Sequence, residues 1–353
     1  MLAGVSKTTV SKVINHKDES ISQGTKEKIL KIMREQNYVP NKLAQGLVTK
    51  KTNTIGLLIP DIRNPFFTDI SRGAEDFARS KGYNIIFSST DENCEREMEC
   101  IDMLVEKMVD GIIFAPSSNT LNQEGIYNKL KLPMVLVDKN LDVKSSKGLV
   151  KVDNKNGTYE ATKYLINQNH KDILYLSGPL KNDIGKQRLE GYRRAFEKNG
   201  LTYDENNVVE GKYRYEWAYE YIKNIDKLNY SAICCGNDLI AIGAIQALRE
   251  RNINVPKDIS VIGFDDIQTA KLIDPSLTTI RQPAYEMGEK ACEMLINYLN
   301  NKTEEENKEV VFETYITDTK NFKSLKASLV QEAINRGINP ASVRLVSENK
   351  IIR

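Results

Sequence analysis

From Thr54 onward, short runs of apolar and often β-branched residues alternate with longer amphipathic stretches. The runs predict strands over 55–59, 83–87, 111–115, 134–138, 173–176, 208–209, 232–235, 260–264 and 278–281. They are nearly continuous in apolar character, as expected of strands buried on both faces of a parallel sheet. Between them, segments 67–80, 95–107, 158–168, 185–198, 239–250 and 285–298 read as amphipathic helices. This alternation predicts an α/β fold: doubly wound parallel sheets with helices on both faces.

Ahead of Thr54 the pattern turns all-helical. Gly4 permits a tight turn, and Ser6 can N-cap a helix from Lys7 to about Ile14. Val5, Val10 and Val13 share one face, while Lys7, Thr8 and Lys12 fall on the opposite one. After a polar loop, Ser22 or its neighbours cap a second helix, about Gln23 to Glu35, whose apolar stripe is Ile29, Ile32 and Met33. Such a pair suits a helix-turn-helix reader of the DNA major groove. Lys7, Thr8 and Lys12 would meet base edges, and the hydroxyls of Ser6, Thr9 and Ser11 suit phosphate oxygens. Asn15, Ser22, Thr25 and Tyr38 complete this candidate contact set.

Residues 41–47 (Asn-Lys-Leu-Ala-Gln-Gly-Leu) are too few for a helix stable alone, and Gly46 weakens it further. Such a segment folds only against a partner. Leu47 suits a wedge between base steps, and Ala44 permits close approach; Asn41 and Gln45 lie on the same short helix. The plain alternative is a flexible tether with one stray leucine.

Ligands on doubly wound sheets sit past the carboxyl ends of the strands. There the chain places Asn64, Phe66 and Phe67, then Asp138 and Lys139, then Asn237, Asp265 and Gln282. Arg188, near a helix start, and Tyr213, on a loop, join them. A sugar needs carboxylate, amide and guanidinium groups for its hydroxyls and aromatic rings for its C–H faces. Each residue alone has a plainer reading. Asp238 and Asp266 are expected to cap helices, and Phe66 and Phe67 could equally be core.

Charge adds one fact. Residues 1–54 hold ten Lys/Arg and four Asp/Glu, a balance of 10 − 4 = +6 in a chain whose net charge is +2. A basic head on a mildly acidic body fits a DNA-binding arm. No apolar run reaches the length of a membrane span, so no membrane partner is expected. The five cysteines lack paired CxxC spacing and histidines number two, so no metal, disulfide framework or other cofactor is expected. A cytoplasmic location is the expectation.

Residues 2 to about 318 resemble the LacI/GalR family of bacterial repressors. The resemblance rests on Ala3-Gly-Val-Ser-Lys-Thr-Thr-Val-Ser-Lys-Val-Ile-Asn15, on residues 38–47, on Gly263-Phe-Asp-Asp-Ile267 and on Leu277-Thr-Thr-Ile-Arg-Gln-Pro283. It implies a homodimer whose recognition helices read the half-sites of double-stranded operator DNA while paired hinge helices kink its centre. It implies a type I periplasmic-binding-protein fold for the body, most similar to ribose-type binders. It carries the base-reading positions onto Lys7, Thr8 and Lys12, and the inserted leucine onto Leu47. The sugar-contacting positions fall on Asn64, Phe66, Phe67, Asp138, Lys139, Arg188, Tyr213, Asn237, Asp265 and Gln282. Four departures stand out. Lys12 and Lys139 replace Arg, Tyr213 replaces Phe, and the family's first helix would precede Ala3, so a true start upstream is expected.

The expected organisation is a headpiece over 1–38, a hinge helix and linker over 39–53, and a two-lobed body over 54–323. Lobe 1 takes 54–151 and 284–310; lobe 2 takes 152–281 and 311–323. Residues 324–353 form an extension of unassigned role, with a helix expected over 324–336. The function expected is a repressor of carbohydrate-utilisation genes controlled by a pentose or hexose. Alternatives are a purine effector, a phosphoprotein co-regulator, or a ligand-binding protein that has lost DNA binding. An enzyme is not expected, because no Gly-x-Gly-x-x-Gly or Walker loop follows a strand.

Overall fold

Buried backbone amides and carbonyls need partners, and an apolar run too short for a helix finds them in a sheet. In the computed structural model the apolar runs pair into two six-stranded sheets. The structure describes residues 3–14, 17–38, 51–117, 127, 132–141, 143–301, 308–318, 345–347 and 350–352. The chain divides into two units, Met1–Asn53 and Thr54–Arg353.

The first unit holds α1 (Lys7–Ile14) and α2 (Gln23–Glu35). Gly4 takes the left-handed region at φ 66°, and the Ser6 hydroxyl accepts from the Thr9 amide at 3.1 Å, capping α1. Ser22 precedes α2 in an extended conformation but forms no side-chain cap; its hydroxyl instead meets that of Thr25 at 2.9 Å. Val13 and Ile29 are the buried apolar side chains here, and an ion pair of Lys26 with Asp18 at 3.1 Å ties α2 to the loop before it. Asn15 and the expected hinge helix, with Asn41, Ala44, Gln45 and Leu47, lie outside the described residues.

In the second unit, the first sheet contains β1 (Thr54–Ile59), β2 (Asn84–Ser89), β3 (Gly111–Phe114), β4 (Met134–Val137), β5 (Ser146–Val152) and β11 (Lys308–Phe312). Their order is β11-β5-β4-β3-β1-β2, all parallel. Around it lie α3 (Pro65–Ser80), α4 (Cys94–Glu106) and α10 (Ala284–Asn301). The second sheet contains β6 (Ile173–Ser177), β7 (Val208–Glu210), β8 (Ala232–Cys235), β9 (Ser260–Asp265), β10 (Thr278–Arg281) and β12 (Tyr315–Thr317). It runs β12-β10-β9-β8-β6-β7, with β12 alone antiparallel. Its helices are α5 (Asn154–Asn167), α6 (Asp183–Lys198), α7 (Tyr215–Asn224), α8 (Asp238–Glu250) and α9 (Gln268–Leu272).

Central strands are buried throughout. Ile55, Leu57, Leu58 and Ile59 of β1 are each at most 1% exposed, and each such side chain contributes about 1.5–3 kcal/mol on burial. Helix α3 crosses α10 in backbone contact: a Cβ on Gly73 would lie 1.9 Å from the Tyr285 carbonyl oxygen, and one on Gly288 as close to that of Ile70.

The sequence pattern did not reveal β5, β11, β12, α7 or α9. The edge and near-edge strands carry Lys147, Lys151, Lys308 and Glu309, so no continuous apolar run marks them. Because β5 and β11 pair through Val152 and Phe312, the chain passes between the sheets at Asp153, at residues 282–283 and at residues 313–314. Strands β5 and β11 thus end one and two residues beyond the expected limits of 151 and 310. In the C-terminal extension, β13 (Leu345–Ser347) and β14 (Lys350–Ile352) form an antiparallel ribbon; the helix expected over 324–336 lies outside the described residues.

Candidate effector cavity and nucleic-acid interface

Strand ends from both sheets converge on one cavity of about 460 Å³. All ten candidate effector residues line it: Asn64, Phe66, Phe67, Asp138, Lys139, Arg188, Tyr213, Asn237, Asp265 and Gln282. So do Asp61, Asp91, Glu92, Pro179, Ile184, Gly211, Lys212 and Arg214, which the sequence reading passed over. Reading the residues past β1 and β2 as closely as those past β9 would have found Asp61, Asp91 and Glu92. Lys212 and Arg214 flank Tyr213 and were legible by adjacency.

Local structure fixes which polar atoms are available. Asn64 caps α3 by accepting from the Phe66 amide at 3.1 Å, and Asn237 caps α8 by accepting from the Ile240 amide at 2.9 Å. Each spends its Oδ1 on a helix end, leaving its Nδ2 as the donor group. The aspartates expected to cap do not. Asp238 is fully buried and accepts from the Ile267 amide at 2.9 Å and from the Thr279 hydroxyl. It pins α8 to the strand ends instead, and its carboxylate is spent before any cap bond forms. Asp266 pairs with Lys271 at 3.6 Å and Arg281 at 3.9 Å, while α9 has no side-chain cap.

Arg188 organises the floor. It is 4% exposed; its Nε donates to Asn154 Oδ1 at 2.8 Å and a terminal nitrogen donates to the Gly236 carbonyl. Its guanidinium lies 3.8 Å from the ring centre of Phe264, an arrangement favoured by the ring quadrupole. Asp265 stands 3.9 Å from Arg188 and accepts from Gln282 Nε2 at 2.7 Å. That bond orients the Gln282 amide, whose Oε1 is buried with no hydrogen-bond partner among the described residues. The Tyr213 hydroxyl is buried and unpaired in the same way.

Burial raises the carboxyl of Asp138 above the ordinary range, against the attraction of Lys139 and Arg188. Burial likewise pushes Asp265 up to about 7, with the Asp138 charge adding to the rise while Arg188 and Gln282 oppose it. Both aspartates take left-handed backbone, at φ 72° and 126°, as do Asp91 and Glu92 at 53° and 59°. Strained backbone gathered at one cavity is characteristic of functional sites. Lys139 reaches away to the Pro116 carbonyl at 3.0 Å. Phe66 and Phe67 serve both readings left open by the sequence, since they belong to the core and also line the cavity. Their ring centres lie 5.1 Å apart with planes at 65°, an edge-to-face pair.

In the first unit, Ser6, Thr8, Thr9, Lys12, Ser22 and Thr25 line one shallow surface together with Val5, Ser20 and Ile21. Lys7 and Ser11 are exposed on α1, and Tyr38 is exposed after α2.

Residues 1–41 match the family described as "Bacterial regulatory proteins, lacI family", and residues 162–317 match a periplasmic binding protein-like domain. The chain is 40% identical over 304 residues to the HTH-type transcriptional regulator RegA of Clostridium saccharobutylicum, covering 85% of this chain and 91% of that protein. It is 38% identical over 308 residues to the HTH-type transcriptional repressor PurR of Vibrio campbellii, covering 86% and 91%. Among solved structures it resembles the transcriptional regulator CelR in complex with cellobiose, at 27% identity and a TM-score of 0.69, covering 90% of this chain and 96% of that one. The named relatives are regulators of transcription and not enzymes. On this similarity and on its two-sheet fold behind a pair of N-terminal helices, the chain belongs to the LacI family of bacterial regulatory proteins and is a transcriptional regulator.

Proposed function

We propose that this regulator represses carbohydrate-utilisation genes, and that a pentose or hexose held between its two lobes controls its grip on operator DNA. The working unit is a homodimer acting in the cytoplasm. One observation carries the reading: ten side chains suited to sugar chemistry, from widely separated segments of the chain, surround a single cavity. Its wall offers what a polyol requires. Asp138 and Asp265 accept, Asn64 and Asn237 have amide donors left after capping, and Arg188 supplies a buried cation. The CelR structure, solved with cellobiose, supports a carbohydrate in such a fold.

A purine fits the cavity less well. Two rings clamp a base when parallel and a double stacking distance apart, whereas Phe66 and Phe67 meet edge to face in direct contact. The DNA-binding half rests on α1, whose Lys7, Thr8 and Lys12 are exposed. Leu47 would wedge into the operator centre. Ligand and operator are then linked reciprocally: whatever a sugar does to DNA affinity, DNA does to sugar affinity.

The test selects a duplex for the full chain from a random library. Its affinity is then measured with and without a panel of pentoses, hexoses and disaccharides. A sugar that binds and shifts operator affinity at least fivefold supports the proposal. A tightly bound sugar that leaves operator affinity unchanged overturns it, and so does a panel with no binder.

A further inference from the structure

Tyr213 is held unusually firmly for a loop residue. A Cβ on Gly178 would lie 2.2 to 2.5 Å from three of its ring atoms, and one on Gly236 would lie 3.3 Å from Cε1, one of those three. Gly178 and Gly236 directly follow the adjacent strands β6 and β8. The ring is therefore pressed onto the bare backbone of Gly178, where any Cβ would overlap it, and lies close against Gly236 at the neighbouring strand end. The ring also lies 5.7 Å from the Arg188 guanidinium, with Asp138, Asp265 and Glu92 as further charged neighbours.

In this setting the hydroxyl at the end of the ring is enclosed and has no hydrogen-bond partner among the described residues. A buried polar group left unpaired destabilises the state that contains it, and such groups in native proteins call for an explanation. Packing does not supply one, since the glycine contacts are made by the ring and phenylalanine would make them equally. The residue lines the cavity, and a group carried in by a ligand, with a small adjustment of the wall, gives the hydroxyl its partner.

We infer that Tyr213 is a specificity-determining residue, whose hydroxyl pairs with a hydroxyl of the sugar so that the site rejects the analogue lacking that group. The inference rests on the sugar-binding function proposed above. It is physically reasonable because a site with a buried polar group discriminates strongly against a ligand that leaves it unpaired, whereas an apolar wall does not.

The experiment compares the full chain with its Tyr213→Phe variant by calorimetry, using D-ribose, D-xylose, D-glucose and cellobiose. The sugar that binds tightest is then replaced in turn by each of its monodeoxy analogues, and the free proteins are melted alongside. The variant is expected to bind the parent sugar about tenfold more weakly, the worth of one net hydrogen bond. For one monodeoxy analogue the two proteins should bind alike. The ligand-free variant should melt no lower than the parent protein, because it has lost an unpaired hydroxyl. Equal affinity of both proteins for the parent sugar overturns the inference and leaves the proposed function standing. So does a loss uniform across parent and analogues, or a lowered melting point accompanying it. No binding of any sugar by either protein overturns the proposed function, and this inference with it.

Discussion

Asp61, just past β1 of the first sheet, and Arg214, ahead of α7 beside the second, stand 3.7 Å apart on the rim of the cavity. Asp61 is already held by Arg63, through Nε at 2.9 Å and a terminal nitrogen at 2.8 Å. Burial would raise its carboxyl, yet the two arginines hold it below the ordinary carboxylate range. This ion pair joins the two lobes across the mouth.

Half-exposed ion pairs contribute about 0–1 kcal/mol to stability, so the pair matters for lobe closure more than for folding. Arg214→Ala should leave the melting temperature within about 2 °C. Dissociation of the bound sugar should accelerate about two- to fivefold, with the difference shrinking at high salt. Stopped-flow dissociation at two ionic strengths measures this. An unchanged rate would detach the pair from closure.

Arg188 presents the opposite case. It is buried, donates to Asn154 and Gly236, and faces Asp265. Removing it strips two acceptors of their donor and leaves a buried carboxyl without a cation. Arg188→Ala should therefore cost about 2–4 kcal/mol of stability and abolish the response to sugar. Arg188→Lys keeps the charge but not the forked geometry. It should fold more stably than the alanine variant while still losing most sugar affinity. Urea unfolding and calorimetry on the two variants separate the structural share from the binding share.

The way Arg188 is held shows what the sequence does and does not make legible. Central strands announce themselves because burial on both faces forces long apolar runs such as residues 55–59. The loops were readable where the chemistry stands at a strand end, as at Asp138 and Asp265, but Asp61, Asp91 and Glu92, a little past β1 and β2, were missed. Hydrogen-bond allegiance was not readable. Asn237 and Asp238 are neighbours of similar shape, yet one caps α8 and the other is drawn under β10 by the Thr279 hydroxyl. That choice depends on a strand forty residues later. Edge strand β11 was equally hidden, because a strand with one solvated side keeps charged residues such as Lys308 and Glu309, and β12 is only three residues long.

Asp265 supplies a pH dependence whose sign is fixed. Its carboxyl is pushed up to about 7, from the 3.8 of an unburied aspartate, chiefly by burial. Between those values the folded protein holds a proton that the unfolded chain has released. The folded state then binds more protons, so stability falls as pH rises through this window. Asp238, raised by burial and by the Asp265 charge, acts in the same direction. Melting of the sugar-free protein should therefore decline from pH 5 to pH 8, and Asp265→Asn should flatten part of that decline. Sugar affinity should move the other way if ligand hydroxyls donate to Asp265, since only the ionised carboxylate accepts freely. Melting curves and calorimetry across pH 5.5–8 check both slopes; a sugar affinity that falls with rising pH would mean that the protonated carboxyl is the binding form.

Lys12 tests the DNA half. It lies exposed on α1 and shares a surface with Ser6, Thr8 and Thr9. Thr9 is partly engaged by the Ser6 hydroxyl at 2.9 Å, which leaves Thr8 and Lys12 the more available of the set. A lysine reading a base edge and a lysine touching phosphate behave differently when removed. In the first case Lys12→Ala should lose about 1–3 kcal/mol on the preferred duplex and much less on duplexes altered at one base pair, relaxing preference there. In the second, binding weakens uniformly across sequences and the salt slope falls by about one. We expect the first. The measurement is affinity for the selected operator and its single-base variants at several salt concentrations, with Lys12→Arg alongside. Arginine can fork to guanine where lysine offers a point charge, so that variant should sharpen preference at the same base pair. A uniform loss for alanine together with no change for arginine would move Lys12 from base reading to backbone positioning.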